Sequence, residues 1–295
     1  MFDTPLCLAV LGATGDCQVE WWQLTVWPQW CCDCHRTATV CRMSSDGSIR
    51  IWPVEGLPEI EVGSDLAQLI HEQCVAAGTP IVDGDVVVVT SKIVSKAEGA
   101  IIELSDVTPS LFAEEWSQAW EKDPRVVEVV LRESRRIVRQ LGPVLITETH
   151  HGFVCANSGV DQSSSGAHGR LVVLPKDPDA SARNIRARFH ELGLNVAVLV
   201  SDTFGRPWRE GQTDICVGLA GMHPMRSYIG EVDPHGHEFK VQELCVVDEV
   251  TAAAELVKGN TSRIPVAVVS GLDFKFDDDA TMAPVLRDIS RDLFR

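Results

Sequence analysis

Short, continuous apolar runs rich in β-branched residues constrain this fold most. Val86–Val89 is too short for a helix, and it lacks the polar alternation of a half-exposed strand. It predicts a strand buried on both faces, which needs a covering layer on each side. Asn195–Ser201 and Val266–Ser270 read as further strands of the core, with Ile49–Val54, Val144–Thr147, Gly152–Cys155, Leu171–Leu174, Ile215–Leu219 and Phe239–Val241 added to them. Helix signals lie between. Ser64 is placed to cap a helix from Asp65 to about Ala77, ended by Gly78. Helices are expected near 110–122 and 124–141, the second with Asp123 before Pro124 and Gly142 after it. Asp177-Pro178 opens a helix to about Leu192, and Asp248–Lys258 forms another. Strands and helices alternate irregularly, so the expectation is a mixed α+β domain and not a regular doubly wound sheet.

The 295 residues carry a net charge of −16, which argues against a nucleic-acid-binding or anionic-membrane surface. No run of about 18 apolar residues offers a membrane span. A few placed cations can still hold an anionic small substrate. Six of the ten cysteines fall in the first 42 residues. The others, Cys74, Cys155, Cys216 and Cys245, sit beside apolar residues, as reduced core thiols do in a cytosolic protein.

Residues 1–42 carry three motif-like patterns. Ala9–Gly15 has the strand-to-glycine turn of a dinucleotide site, but Gln18 stands at the third-glycine position. Cys31-Cys32-Asp33-Cys34-His35 has the spacing of haem attachment without an export signal. Cys31, Cys34, His35 and Cys41 are too compressed for two zinc knuckles. The favoured reading is an unstructured extension or an upstream-start artefact, with the working domain at 43–295.

Two aspartates are the best candidates for chemistry. Asp202 follows an apolar strand at its carboxyl end, where open α/β sheets place ligands, with Thr203 beside it. Asp161 lies in a turn dense in small hydroxylated residues, Asn157–Ser165. Two carboxylates and a hydroxyl suit Mg²⁺ or Mn²⁺, and turn formation or helix capping is the competing reading. Arg206 and Arg209 in Gly205–Gly211, and Lys92 and Lys96 after the buried strand, are candidate anion contacts. There is no P-loop and no Gly-x-Ser-x-Gly elbow. His150 and His151, read on a strand, face opposite sides, and Asp233-Pro234-His235-Gly236 reads as a hairpin turn.

Five segments together resemble one family, the coenzyme F(420)-0:L-glutamate ligases of deazaflavin cofactor biosynthesis. They are Trp52–Pro58, Ser95–Gly99, His151–Asp161, Ser201–Arg209 and Val247–Val250, colinear from about Ile49 to the end. The resemblance implies an α+β homodimer. It implies GTP-dependent phosphorylation of the lactyl-phosphate carboxylate of F(420)-0, attack by the α-amine of L-glutamate on the acyl phosphate, and further γ-linked additions. It also implies Mg²⁺ or Mn²⁺ held by Asp161, Asp202 and Thr203, with K⁺ as a further cofactor. Arg206 joins Asp161 and Asp202 as an expected catalytic residue. Leu57, Pro58, Glu59 and Ile60 would form a guanosine loop, Ser91, Lys92, Lys96 and Ser164 further GTP contacts, and Lys258, Gly259, Asn260, Thr261, Ser262, Arg263 and Ile264 another nucleotide segment. Ser158, Gln162 and Ser164 depart from the family's expected Ala, Ala and Asn. Many relatives continue into a flavin-binding nitroreductase-like domain; here the chain reaches Arg295 near that point, so no FMN is expected and a separate flavin reductase is the expected partner. A metal-dependent phosphatase or nucleotide hydrolase is the alternative reading of the same aspartates.

Overall fold

The computed structural model describes residues 47–161, 169–259 and 261–293. The expected extension 1–42, Gln162, Ser164 and Asn260 lie outside the described residues. In chain order the elements are β1 (Arg50–Pro53), α1 (Leu66–Ala76), β2 (Val86–Thr90), α2 (Ser91–Glu98), β3 (Ile101–Glu103), α3 (Leu111–Trp120), α4 (Pro124–Arg132), β4 (Ser134–Leu141) and β5 (Val144–Thr149). Then come β6 (Val154–Ala156), β7 (Arg170–Val172), α5 (Pro178–Glu191), β8 (Ala197–Arg206), β9 (Arg209–Ala220), β10 (Met225–Ser227), β11 (Glu243–Cys245), α6 (Val246–Lys258) and β12 (Val266–Ser270). This is the expected α+β class.

The core is a five-stranded sheet in the order β1-β12-β2-β8-β9. Only β2 and β8 run parallel; the other neighbours are antiparallel. Val86–Val89, Val196–Val200 and Val266–Val269 are all buried, as two-sided strands must be. Helix α5 packs on β8 and β9 with α1 against it, while α6 packs on β9, β12 and β1. Close approach at α5 requires a glycine: a Cβ at Gly218 would stand 2.3 Å from the Pro178 carbonyl carbon. A separate sheet, β4-β5-β6, and two short pairs, β3-β7 and β10-β11, surround this core.

Several boundaries differ from expectation. The α1 cap is Asp65, whose carboxylate accepts from Gln68 N at 3.1 Å, while the Ser64 hydroxyl accepts from Glu61 N instead. The helix expected over 124–141 ends at Arg132, and its second half is β4. There the Ser134 hydroxyl donates to the Val130 carbonyl, and the chain gains a ladder with β5 that a longer helix would forfeit. Gly142, at φ +57°, turns β4 into β5. Phe239–Val241 is loop; the strand is Glu243–Cys245, paired with Met225–Ser227. His150 and His151 lie in a turn after β5, each ring bonded to a backbone carbonyl. The Asp233–Gly236 turn forms as expected, with Gly236 at φ +87°. Among the described residues no helix is long and apolar enough to cross a membrane.

Candidate functional site

The site lies where the parallel pair β2–β8 ends. The last rung is Thr90 against Ser201, and β8 continues to Arg206 with β9 as its partner. Asp202 is therefore not at the end of its strand, as expected, but at the end of its shelter. A bulge marks the place: Val200 faces Gly218, whereas Ser201 faces Cys216.

Helix α2 starts at the same level, directly from β2. Its cap, Thr90, contributes no side-chain bond to the first turn. Burial is the largest influence on Asp202 and pushes its carboxyl up to about 7. The Thr203 N–H and the Ser91 hydroxyl donate to it and oppose that shift; the charge of Asp214 adds to it, and that of Lys92 opposes it.

Asp161 comes from another direction. It pairs with Val172, each residue's N–H donating to the other's carbonyl at 2.9 and 3.0 Å. Its Oδ2 lies 2.6 Å from Lys92 Nζ. The approach to Asp202 runs over Gly159, at φ +70°, where a Cβ would meet Asp202 Oδ2 at 3.4 Å and Leu174 at 3.1 Å. Lys92 thus contacts one acidic group and acts electrostatically on the other.

Thr203 faces the other side of the strand, as alternation demands. Its hydroxyl donates to Asp214 Oδ1 at 2.6 Å. Asp214 is 2 % exposed, and its Oδ2 accepts from Ser201 at 3.0 Å and from Lys258 Nζ at 2.8 Å. Lys258, 1 % exposed, also donates to the Ser201 hydroxyl and lies 3.5 Å from Glu255. Burial, and the nearby Asp214 charge, raise the Glu255 pKa. Lys258 is therefore part of a buried ionic cluster beneath β8, not an open anion contact.

The expected nucleotide loops are partly gathered around α2. Ile60 is buried, Glu59 binds Lys96 Nζ at 2.5 Å, and Gly63 N donates to the Ala97 carbonyl at 2.8 Å, strapping residues 57–63 along the helix. After Gly259 the Ser262 hydroxyl donates back to the Gly259 carbonyl at 3.1 Å, and Arg263 adopts φ +58°. Just past Ile264, the Pro265 carbonyl accepts from Thr90 N, so this segment ends at the start of α2. Thr261 and Arg263 are exposed. Arg206 lies apart, exposed at the β8–β9 hairpin tip with Nη2 donating to the Glu210 carbonyl at 3.1 Å. It is four residues, about 13 Å of strand, beyond Asp202.

Among the described residues no three His, Cys, Asp or Glu side chains are drawn together as a metal cluster. What the site offers is two carboxylates, Asp161 and Asp202, flanking one ammonium. Such hard oxygen donors fit a partly hydrated Mg²⁺ or Mn²⁺ that shares its remaining positions with phosphate. The Thr203 hydroxyl turns away from that face, while its N–H orients Asp202. Among the described residues Cys74, Cys155 and Cys216 are buried free thiols and Cys245 is half-buried, and burial pushes Cys155 up to about 12. Sequence reasoning missed Asp214 as a functional neighbour. Its signal was available: folding Arg206-Pro207-Trp208-Arg209 as a turn brings Asp214 near Thr203.

The chain matches the F(420)-0:gamma-glutamyl ligase family over residues 56–271. It is similar to the coenzyme F(420):L-glutamate ligase of Methanopyrus kandleri, 40 % identical over 253 residues, covering 84 % of this chain and 98 % of the relative. The coenzyme F(420):L-glutamate ligase of Methanothermobacter thermautotrophicus is 40 % identical over 245 residues, covering 82 % and 97 %. That of Halobacterium salinarum is 40 % identical over 249 residues, covering 82 % and 94 %. On this length of match, and with both aspartates and α2 inside it, the chain belongs to the F(420)-0:gamma-glutamyl ligase family.

Proposed function

We propose that the protein joins L-glutamate to coenzyme F(420)-0 in F(420) biosynthesis, with GTP as the energy source and an acyl phosphate as the intermediate. One observation carries the reading: Asp161 and Asp202 converge on Lys92 in the first turn of α2. That combination binds polyphosphate and divalent cation together.

In this reading Asp161 and Asp202 hold Mg²⁺ or Mn²⁺, and Thr203 aligns Asp202 through its N–H. The ion neutralises charge on phosphate oxygens. Lys92, Ser91 and the α2 backbone receive the phosphates, with Lys96 and the 57–60 loop on one flank and Gly259–Ile264 on the other. The γ-phosphoryl group moves to the substrate carboxylate. The glutamate α-amine then attacks the acyl carbon, the C–O bond to phosphate breaks, and inorganic phosphate leaves as the amine loses a proton. Arg206, too far along β8 for the reacting carbon, is a contact for the end of F(420)-0 remote from that carbon. K⁺, a homodimer, a cytoplasmic setting and a separate flavin reductase belong to the same proposal.

Incubating the full chain with F(420)-0, GTP, L-glutamate and Mn²⁺ is expected to give a glutamylated product by mass spectrometry. GTP loss without that product indicates a nucleotide hydrolase instead. Asp202→Asn is expected to abolish product and Mn²⁺ binding while far-UV circular dichroism stays unchanged. Normal Mn²⁺ binding in that variant would refute the metal assignment.

A further inference from the structure

The β8–β9 hairpin closes through Pro207 and Trp208, between the paired Arg206 and Arg209. Trp208 is 79 % exposed and sits at φ +57°. A turn with proline first and a positive φ second ordinarily takes glycine or asparagine at the second place. A bulky aromatic there is a strained choice, and such strain concentrates where function demands a particular side chain. The chain sets its most exposed tryptophan among the described residues on the outer end of the strand that carries Asp202.

From this we infer that Trp208 is the stacking platform for the planar ring system of the deazaflavin substrate, which makes it a specificity-determining residue. The inference rests on the ligase reading above. Geometry supports it in two ways. Asp202 to Arg206 spans about 13 Å of strand. The tail joining the ring system of F(420)-0 to its reacting carboxylate, a polyol, a phosphodiester and a lactyl unit, is about ten bonds, or roughly 12–13 Å extended. With the carboxylate near Asp202, a tail laid along β8 places the ring at the hairpin tip. Second, the competing aromatic ring, guanine, has a different place to go. The 57–63 loop is strapped along α2 by Glu59–Lys96 and Gly63–Ala97, whereas the hairpin leaves from β8. Arg206 and Arg209 flank the platform, and guanidinium planes stack on aromatic rings.

The test compares wild type, Trp208→Phe and Trp208→Gly as full chains. Three quantities are read: dissociation constants for F(420)-0 by its fluorescence, dissociation constants for GTP with Mn²⁺, and melting temperature. Trp208→Gly is expected to weaken F(420)-0 binding tenfold or more, the scale of one lost aromatic stack. GTP binding stays within twofold. The melting temperature holds or rises, because glycine relieves the positive φ. Trp208→Phe recovers most of the affinity. Unchanged F(420)-0 binding in Trp208→Gly overturns the inference while a working wild type keeps the ligase reading intact. Loss of GTP affinity instead assigns the ring to guanine, and a change of oligomeric state assigns it to a second copy; either overturns the inference. A wild type that neither binds nor glutamylates F(420)-0 refutes both readings together.

Discussion

Replacing Lys258 by methionine tests the buried cluster beneath β8. The side chain is 1 % exposed, its partner Asp214 is 2 % exposed, and the charged atoms are 2.8 Å apart. At an effective dielectric of about 20 the gross attraction at that distance is about 6 kcal/mol, most of it offset by desolvation of the two ions. Removing the ammonium leaves that desolvation cost in place. Asp214 keeps only the hydroxyls of Ser201 and Thr203 from this group of donors. The expected loss is about 3–5 kcal/mol, the range for breaking one side of a buried pair. For a domain of this size that lowers the melting temperature by roughly 6–20 °C. Urea unfolding followed by far-UV circular dichroism, in EDTA so that metal linkage is absent, measures it. The double variant Asp214→Asn/Lys258→Met removes both charges while keeping an acceptor for Thr203, and it is expected to recover at least half of the loss. A single variant costing less than about 1 kcal/mol, or a double variant as damaged as the single, would refute the reasoning.

Two further outcomes follow from packing and charge. Gly218→Ala places a methyl group 2.3 Å from the Pro178 carbonyl carbon, so β9 and α5 must separate, and a stability loss of about 1–3 kcal/mol, read as a lower urea midpoint, is expected. Asp65 has its pKa lowered: burial pushes it up, but hydrogen bonds from Gln68 and Arg188 and the Arg188 charge together outweigh that. Its contribution is therefore complete above its unfolded value of 3.8 and lost as pH falls through its lower folded value. In a stability–pH series, Asp65→Asn should be less stable than wild type at neutral pH, and the gap should close below about pH 4. A gap independent of pH would count against the ion pair.

The buried strands could be read from the chain because burial on two faces leaves a composition that nothing else produces. Helix starts at Asp123-Pro124 and Asp177-Pro178 were equally plain, since a cap and a proline act locally. Residues 134–141 were not, because their exposure alternates only once β5 lies alongside, and pairing across the Gly142 turn decided the element. At the site, Asp202 stood out by following an apolar run. Lys258 did not, because a lysine in the last turn of a helix normally faces water. Its burial depends on Asp214, forty-four residues away in sequence.

The bulge between Val200 and Ser201 acts as a change of phase. Were β8 and β9 paired without it, continuing from Val200 opposite Gly218 would set Thr203 opposite Ile215 and Asp214 opposite Phe204. The acid would then turn to the wrong side of the hairpin, leaving Lys258 without its counter-charge and Thr203 without its acceptor. One supernumerary residue in β9 thus converts a ribbon that would match apolar with polar into one whose two faces carry separate tasks. Deleting Val217, the supernumerary residue, would remove the bulge yet keep Asp214 opposite Thr203, whereas one residue inserted between Ile215 and Cys216 would set Asp214 opposite Phe204 and should damage the site as thoroughly as losing Asp214 itself.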